Sequence, residues 1–546
     1  MVNYDDILRL TGRFGWFETR TFLFVCLATL LGCMQTFTQV FIAGKGDHWC
    51  RAPKLNDDEC SMLNYTTEEC KDLFRPLDDN GKDFSKCQKY NLSGLDHETI
   101  LANRDNLTFY GVVDCDDGWI FDRSVYPSTL TEEWELVCDK EAVPNILQSV
   151  YLAGFVVGCL LFGYLADKIG RYYSFCICSV GAAAFGMLTT LSPNPIIFGA
   201  LRFLVAACSY GLVLVLFVVA TEMVLPHQRV YVGIFLWYPY VMGYFVLVFL
   251  GKFLNSWRLF VVLAVTPYIT MVPGFFLVKE SPRWLLTKGL YEQANEVIAV
   301  IAKTNKKEIP AGYLTKLQED QEATKSEEKA SIVYILRHPI LTLYLINLMF
   351  NWFVQSFVYY GLSLGTSSLG VDVYIAFGIS GAVEIPAYLS SMLTMKYLGR
   401  KISTGGFMIL AGLACFATIP AAQGPIRVAV AMVGKFAITA SFANIYVHTA
   451  EIFPTPVRTL CVGVCSVAAR VGGLIAPLIL VLENTWQSLP LICFASSSVL
   501  AGLLVFFLPE TKGKLMPDTI EDTLKLRKTY VNTAEGSKND PNEKIA

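Results

Sequence analysis

The chain has 546 residues, of which 53% are hydrophobic and 17% charged, and its mean hydropathy is +0.44. This composition excludes an ordinary soluble protein, which needs more polar surface to cover its core. The net charge of −3 carries little information because the charges are confined to a few segments. The sequence has no basic stripe and no fingerprint typical of nucleic-acid binding.

The polar segment 1–20 lacks the continuous apolar core of a cleavable signal peptide, so we expect it to be a cytoplasmic N-terminus. The apolar run that follows, 21–43, is long enough to serve as a signal anchor and first transmembrane helix. Twelve runs are long enough to span a bilayer: 21–43, 143–166, 173–192, 196–220, 230–251, 257–278, 339–362, 371–396, 402–421, 425–448, 460–482 and 486–508. The fold class predicted is therefore an all-α membrane protein, with spans 2–6 in 143–278 and a C-terminal set of six in 338–508.

A long polar segment, 44–141, separates the first two spans. It contains six of the sixteen cysteines, which are Cys50, Cys60, Cys70, Cys87, Cys115 and Cys138. It also contains three Asn-x-Ser/Thr sequons, at Asn64, Asn91 and Asn106. An even cysteine count with clustered sequons predicts an extracellular, glycosylated and disulfide-bonded loop, whose connectivity stays open.

Basic residues cluster on the other side of the predicted spans. The segment 279–337 is rich in lysine and includes the amphipathic pattern "YEQANEVIAVIAK". The short loops expected on that side carry Lys and Arg, whereas "TSSLGVD" and "LENTW" on the opposite side carry none. By the positive-inside rule, both termini are cytoplasmic, including the polar tail 509–546. We expect a multi-pass protein of the plasma membrane.

The two halves of the chain contain an internal repeat. The pairs Gly170-Arg171 and Gly399-Arg400 are 229 positions apart, and so are Glu222 and Glu451. Arg229 and Arg458 follow those two acids at the same spacing of seven. Matched elements at one offset indicate two six-helix halves related by duplication, an arrangement found in transporters that bind substrate between their halves.

Several motifs now carry a family resemblance. The loop "GYLADKIGRYY" (163–173) is similar to the cytoplasmic loop motif of the major facilitator superfamily, although its second copy, "MKYLGRK", has Lys396 where the first has Asp167. The stretches "KESPRWLLTKG", "GKFAITASFANIYVHTAEIFPTPVR", "CSVAARVGGLIAPL" and "LPETKGKLMPDTIED" resemble the organic cation/anion/zwitterion transporter family, over nearly the whole chain. The resemblance implies a major facilitator fold and a carrier of small organic ions.

The charged residues at the cytoplasmic helix ends form one candidate site. We expect an ion-pair network that latches the two halves while the cavity is open outward, made of Asp167, Arg171, Glu222, Arg229, Glu280, Arg283, Glu451 and Arg458. The alternative is a static, solvated rim that only fixes topology.

Four ionisable residues lie well inside predicted spans, where such groups usually face a cavity or one another. Glu384 and Arg470 fall near the midplane, while Arg202 and Lys435 lie nearer the outside, as counter-charges in a gate or as snorkelling side chains. Glu384 offers a counter-charge for an ammonium group, and Arg470 offers a clamp for a carboxylate. Alternatively, Glu384 pairs with Arg470 or Lys435 and only holds helices together. The family resemblance adds to this. An acid at the position of Glu384 is common among the family's cation and zwitterion carriers, and an arginine at the position of Arg470 is common among its anion and zwitterion carriers.

Aromatic residues supply the remaining candidates, because aromatic faces attract organic cations by roughly 0.5–2 kcal/mol each. Tyr359 and Tyr360 match family positions that line the cavity, and Trp237, Tyr238 and Tyr240 flank Pro239. For any one of these residues, packing is as plausible as substrate contact, but for the aromatic cluster as a whole we favour substrate contact. We interpret His448 as a hydrogen-bonded structural histidine.

The sequence therefore predicts a plasma-membrane carrier of small organic cations or carnitine-like zwitterions that works by alternating access. An organic anion exchanger, a sugar porter and a non-transporting receptor or scaffold are the alternatives. The sequence shows no constellation typical of an enzyme, a metal site or a cofactor site. Coupling to sodium or to the membrane potential, and the oligomeric state, stay open.

Overall fold

The computed structural model describes residues 4–11, 14–51, 75–77, 84–91, 109–225, 228, 232–233, 235–307, 335–514, 517 and 523. Of the predicted residues, Arg229, Cys60, Cys70, Asn64 and Asn106 lie outside these ranges. The chain divides into two compact units, one comprising Met1–Thr38, Asn145–Lys252 and Val261–Ala546, the other Gln39–Pro144 and Phe253–Phe260.

Twelve apolar helices, numbered α1 to α12 here, dominate the described part of the chain. They are Trp16–Ile42, Val143–Ile169, Arg171–Thr189, Pro195–Glu222, Trp237–Phe253, Trp257–Val265, Pro339–Leu364, Val373–Tyr397, Arg400–Thr418, Pro425–Ile452, Thr455–Leu480 and Leu489–Val505. Beyond Val265, α6 continues as a 3-10 segment, Thr266–Met271, and a short helix, Gly274–Leu277, because Pro267 and Pro273 interrupt regular α-helical hydrogen bonding. Ten of the helical stretches have the length and hydropathy needed to cross a membrane, and α5 and α12 are apolar helices of 17 residues.

The starts of the helices follow local sequence signals. Asn194 accepts a hydrogen bond from the Ile197 N–H, and Pro195 occupies the first turn of α4, where no backbone donor is lost. The side chain of Asp372 likewise accepts hydrogen bonds from the Tyr374 and Ile375 N–H groups at the start of α8. Helices α3 and α9 instead begin directly after Gly170 and Gly399, whose φ angles of 105° and 90° favour glycine.

Close helix contacts depend on small residues. In α2, Gly154 and Gly158 lie against α4, where an added Cβ would come within 2.4 Å of backbone oxygens. In α11, a Cβ at Gly472 would lie 2.1 Å from the carbonyl oxygen of Phe353 in α7. These glycines let backbones approach in a membrane, where tight packing drives helix association.

A short amphipathic helix, Tyr291–Thr304, follows the first six helices and buries Ala294, Ile298, Ile301 and Ala302 along one face. It packs with Ile7 and Leu8 of the N-terminal helix Tyr4–Leu10. The apolar residues recur every three or four positions, as the sequence pattern predicts for a helix lying on a larger core.

The second unit is built from short strands and disulfides. Strand β1 (His48–Cys50) pairs antiparallel with β4 (Trp119–Phe121), and β2 (Gln88–Tyr90) with β3 (Val112–Asp114). Disulfides join Cys50 to Cys115 and Cys87 to Cys138, with Cα–Cα distances of 5.3 and 5.7 Å. The sequon residue Asn91 is exposed directly after β2. In the same unit, Glu133 accepts hydrogen bonds from the Trp257 indole and from Arg258.

Candidate functional site

The carboxylate of Glu384, on α8, is the centre of a buried polar cluster. Its Oε1 lies 2.9 Å from Lys435 Nζ and accepts hydrogen bonds from the hydroxyls of Tyr359 at 2.8 Å and Tyr244 at 3.0 Å. Its Oε2 accepts from Tyr388 at 3.2 Å. Side-chain exposure is 0% for Glu384 and 1% for Lys435. Four donors around one carboxylate offset much of the cost of removing its charge from water.

The ammonium of Lys435, on α10, has a specific environment as well. It lies 3.4 Å from the centre of the Tyr359 ring, donates to Ser363 Oγ, and lies 3.5 Å from the Tyr244 hydroxyl. Electrostatic attraction to an aromatic face is strongest where water is excluded. The pair is thus held by helices of both halves, because Tyr244 is on α5 and the other members are on α7, α8 and α10.

Aromatic rings extend this central cluster, defined here by Glu384, Lys435, Tyr244, Tyr359, Tyr388 and Ser363. Tyr244 stacks on Phe377 at 4.7 Å and contacts Phe37 at 4.9 Å. The candidates Trp237 and Tyr238 contact Tyr388 at 6.1 and 6.2 Å, so they lie one ring away from Glu384.

Tyr360 lies beside the cluster, with its ring 5.4 Å from Tyr359 and 6.3 Å from Phe37. The structure therefore brings Tyr359 into direct contact with both charges, and leaves Tyr360, Trp237 and Tyr238 in a surrounding layer.

Sequence reasoning missed Tyr244, Tyr388 and Ser363. A helical signal could have identified them, because each lies four positions after a residue that was singled out: Tyr240, Glu384 and Tyr359. Residues four apart share one face of a helix.

Arg470, on α11, does not contact Glu384. Its Nη1 donates to the Ser466 carbonyl at 2.6 Å and to the Ser466 hydroxyl, and its guanidinium lies 4.8 Å from the centre of the Tyr210 ring. Tyr210 in turn contacts Phe155, with ring centres 4.8 Å apart and the ring planes tilted by 33°. The structure shows no ion pair for Arg470 among the residues it describes. Of the two partners that the sequence left open for Glu384, the one present is Lys435.

Arg202, on α4, is buried with 2% exposure, so it does not snorkel outward. Its guanidinium donates to the side-chain and main-chain oxygens of Gln35 at 3.0 and 2.9 Å, and lies 4.1 Å from the centre of the Tyr151 ring. The partner amide is fixed by its own donation to the Ala264 carbonyl at 3.1 Å. Arg202 thus lies in a separate cluster of the first half, held by neutral groups.

At the end of the bundle that carries the two Gly-Arg turns, called the charged end here, Arg171 contacts two acids. Its guanidinium lies 3.0 Å from Asp167 and 3.1 Å from Glu222. Glu280 accepts the backbone N–H groups of Arg171 and Tyr172 at 2.9 and 3.1 Å. A carboxylate at a helix N-terminus satisfies donors that have no partner within the helix. Burial raises the pKa of Glu280, and its backbone hydrogen bonds oppose that effect.

The second half repeats this arrangement. Arg400 binds Glu451 through Nε at 2.9 Å and Nη2 at 2.8 Å, a bidentate pair. Glu510 accepts the backbone N–H groups of Arg400 and Lys401, each at 3.0 Å. Burial acts to raise the pKa of Glu510, but backbone donors, including that of Lys512, outweigh burial and lower it.

Two residues of the expected network behave differently. Arg283 is exposed and forms no ion pair within the described ranges. Arg458 donates to the carbonyls of Phe453 and Pro517 at 3.2 and 3.3 Å instead of pairing with Glu451. Glu510 was missed as a site residue, although "PETK" follows "KESP" at an offset of 230. His448 is buried, with Nε2 3.0 Å from the Pro509 carbonyl, in a structural setting.

Comparisons with known proteins agree with this architecture. The family described as "Sugar (and other) transporter" matches residues 125–519. The xylose transporter XylE from E. coli, in an inward-open conformation, superposes with a TM-score of 0.59 at 18% identity, covering 93% of this chain and 99% of XylE. This likeness shows the major facilitator fold, so the predicted fold class of twelve helices is confirmed.

Curated relatives extend over nearly the whole chain. "Organic cation transporter protein" from Drosophila melanogaster is 33% identical, covering 95% of this chain and 94% of the relative. "Solute carrier family 22 member 3" from Mus musculus is 32% identical, covering 98% and 100%. The human "Organic cation/carnitine transporter 2" is 29% identical, covering 96% and 95%. These relatives are transporters and not enzymes, and the chain belongs with them to solute carrier family 22, the organic cation and anion transporters of the major facilitator superfamily.

Proposed function

We propose that this protein carries small organic cations across the plasma membrane by alternating access, with Glu384 as the counter-charge for the substrate. One observation carries the proposal: a carboxylate with no exposure lies among tyrosines contributed by both halves. A substrate bound there contacts the elements that must move past each other. The names of two relatives, which refer to organic cations, support the same class of substrate.

A carnitine-like zwitterion is the second candidate, supported by Arg470. Its guanidinium is half-buried, rests on Tyr210, and has no carboxylate partner among the described residues. An ammonium at Glu384 and a carboxylate at Arg470 would use both charges. Arg470→Ala should then impair carnitine uptake more than tetraethylammonium uptake, whereas equal loss of both would show that Arg470 only maintains structure or gating.

Uptake by cells expressing the chain tests the proposed function directly. The panel is tetraethylammonium, carnitine and an aromatic organic anion, each with and without sodium and at two potassium-clamped membrane potentials. We expect uptake of at least one of the first two, abolished by Glu384→Gln. Uptake of the anion alone would refute the charge argument and favour an anion exchanger.

The ion pairs of Arg171 with Asp167 and Glu222 lie within the first half, so we propose that they hold the helix ends of that half in the arrangement that closes the charged end during alternating access. Opening that end should expose Cys461, which is buried near the start of α11. In inside-out vesicles, Arg171→Ala should speed maleimide labelling of Cys461. The matched control is Lys168→Ala, which removes a nearby charge that contacts the Tyr164 ring. Unchanged labelling in Arg171→Ala would leave only a static rim.

The orientation is proposed with both termini in the cytoplasm and the second unit outside. Asn91 is exposed, and in that orientation it lies on the side of the membrane where sequons are glycosylated. A glycosidase-sensitive mobility shift that is reduced by Asn91→Gln, together with a C-terminal tag detected only after permeabilisation, would support it. A tag detected on intact cells would contradict it.

A further inference from the structure

The most specific binding environment in the described part of the chain already holds an ammonium group, that of Lys435. Its Nζ contacts Glu384 Oε1 at 2.9 Å, the Ser363 hydroxyl and the Tyr244 hydroxyl at 3.5 Å. The Tyr359 ring closes the site, with its centre 3.4 Å from Nζ. A carboxylate, two hydroxyls and an aromatic face are also the groups that would bind the ammonium of a small organic cation.

We propose that Lys435 is a resident competitor for the substrate site, which a protonated primary or secondary amine displaces when it binds. This inference rests on the proposed function and names the substrate class of that same site. The closed state then needs no ligand, because the Lys435 ammonium neutralises Glu384 in the absence of substrate. An incoming amine exchanges one ammonium for another and leaves the carboxylate paired throughout.

The hydrogen bonds at the site favour amines that carry N–H groups. The Ser363 hydroxyl donates its only proton to the Tyr359 carbonyl at 2.6 Å, so it can only accept from the ammonium. Glu384 Oε1 likewise offers lone pairs only. A quaternary ammonium restores the charge and the aromatic contact but leaves the Ser363 lone pair without a donor. An unsatisfied buried acceptor lowers affinity by about tenfold.

Water can stabilise the Lys435 ammonium once it has left the site. Lysine carries its charge on a flexible four-carbon stem and is strongly hydrated in water. Water that enters when either side of the cavity opens can therefore solvate the Lys435 ammonium. The protein can then close around the substrate only while the Lys435 ammonium stays away from Glu384. When Lys435 pairs with Glu384 again, it favours release of the substrate.

The test uses two matched probes on the purified full-length protein. Phenethylamine and its N,N,N-trimethyl analogue share one aryl group and one charge, and differ in their N–H groups. Dissociation constants are measured for the wild type, Lys435→Gln, Lys435→Arg, Ser363→Ala and Glu384→Gln. Lys396→Gln serves as the matched control, because Lys396 is exposed on the same helix as Glu384. Thermal unfolding confirms that each variant is folded.

We expect Lys435→Gln to lower the dissociation constants of both probes by about tenfold, because the competing ammonium is gone. Lys435→Arg and Lys396→Gln should leave these constants near the wild-type values. The wild type should prefer phenethylamine by about tenfold, and Ser363→Ala should abolish most of that preference. Weaker binding in folded Lys435→Gln, or equal binding of the two probes by the wild type, would overturn the proposal.

The outcomes of these binding measurements also distinguish a failure of this proposal from a failure of the proposed function. If the wild type binds cations and Glu384→Gln does not, the proposed function stands whatever Lys435→Gln does. If the wild type binds neither probe and Glu384→Gln changes nothing, the cation site itself is refuted. Should Lys435→Gln fail to fold, the probe preference of the wild type and of Ser363→Ala still decides the selectivity claim.

Discussion

The charged end of the bundle is built twice from the same parts, whereas the buried cation clusters differ between the two halves. At the charged end, Arg171 and Arg400 each pair with an acid on the following helix, Glu222 or Glu451. Each of the two arginines also begins a helix whose N–H groups are capped by an acid, Glu280 or Glu510.

The buried clusters have no such symmetry. Arg202 in the first half is held by the neutral side chain and carbonyl of Gln35, while Lys435 in the second half is held by the carboxylate of Glu384. A duplicated part is explained by a task that both halves share, such as closing one end. A feature present in only one half, such as the pair of Glu384 and Lys435, is the better candidate for recognising a substrate, because it is not needed for a task that both halves perform.

The largest effect is expected from a substitution that makes the surroundings of Lys435 resemble those of Arg202. Glu384→Gln gives Lys435 an amide partner, as Arg202 has, and leaves a buried ammonium without a counter-charge. Cation uptake should fall by about 100-fold or more, and the free energy of unfolding should fall by about 3–5 kcal/mol. Radiolabelled uptake and denaturant unfolding in detergent measure the two losses.

The double variant Glu384→Gln/Lys435→Gln separates stability from transport. Removing both charges should restore most of the unfolding free energy, because no unpaired charge remains, but it should not restore uptake. The reciprocal variant Gln35→Glu gives Arg202 a carboxylate and should change uptake far less. Full recovery of uptake in the double variant would show that the pair only holds helices together.

A smaller effect is expected at the two glycines that precede the capped helices. A Cβ at Gly170 would lie 2.2 Å from Glu280 Oε2, and one at Gly399 would lie 2.7 Å from Glu510 Oε2. Both positions have positive φ, so alanine adds backbone strain of about 1–3 kcal/mol in either half. Gly170→Ala should lower thermal stability somewhat more than Gly399→Ala. Gly406→Ala, where nothing lies within 4 Å of the added Cβ, is the control, and equal stability of all three variants would contradict the repeated cap.

Much of this fold could be predicted from the sequence, because spanning helices need only length and hydropathy. The sequence predicted a fifth span over 230–251, whereas the described helix is Trp237–Phe253. It did not predict that α6 breaks up near Pro267 and Pro273, since apolar periodicity says little about local hydrogen bonding.

The candidate site was partly predictable for a related physical reason. Ionisable residues stand out in apolar runs, so Glu384 and Lys435 were singled out, but their direct pairing depends on tertiary packing. Tyr244 and Ser363 were missed because tyrosine and serine are common packing residues in such helices. Glu510 was missed because its offset from Glu280 differs by one residue from the repeat, which is enough to hide a match in a loop.

The smallest effect distinguishes the two capping acids by their response to pH. Backbone donors hold the pKa of Glu510 below its usual value, so its ionised form stabilises the fold above that value, and the stabilisation is lost as the pH falls through the folded-state pKa. Burial raises the pKa of Glu280, so its ionised form costs stability at neutral pH, and that cost disappears as the pH falls through its raised pKa. At pH 7, Glu510→Gln should therefore destabilise the protein by about 1 kcal/mol, and Glu280→Gln by less. Thermal unfolding between pH 7.5 and about 4 should show the deficit of Glu280→Gln growing, because the wild-type carboxyl takes up a proton and loses its ionisation cost. The deficit of Glu510→Gln should stay nearly constant over most of this range and shrink only at its acidic end. If Glu280→Gln proved the more damaging variant at pH 7, the two caps would not differ in the way their surroundings indicate, and the charged end would be symmetric in energy as well as in geometry.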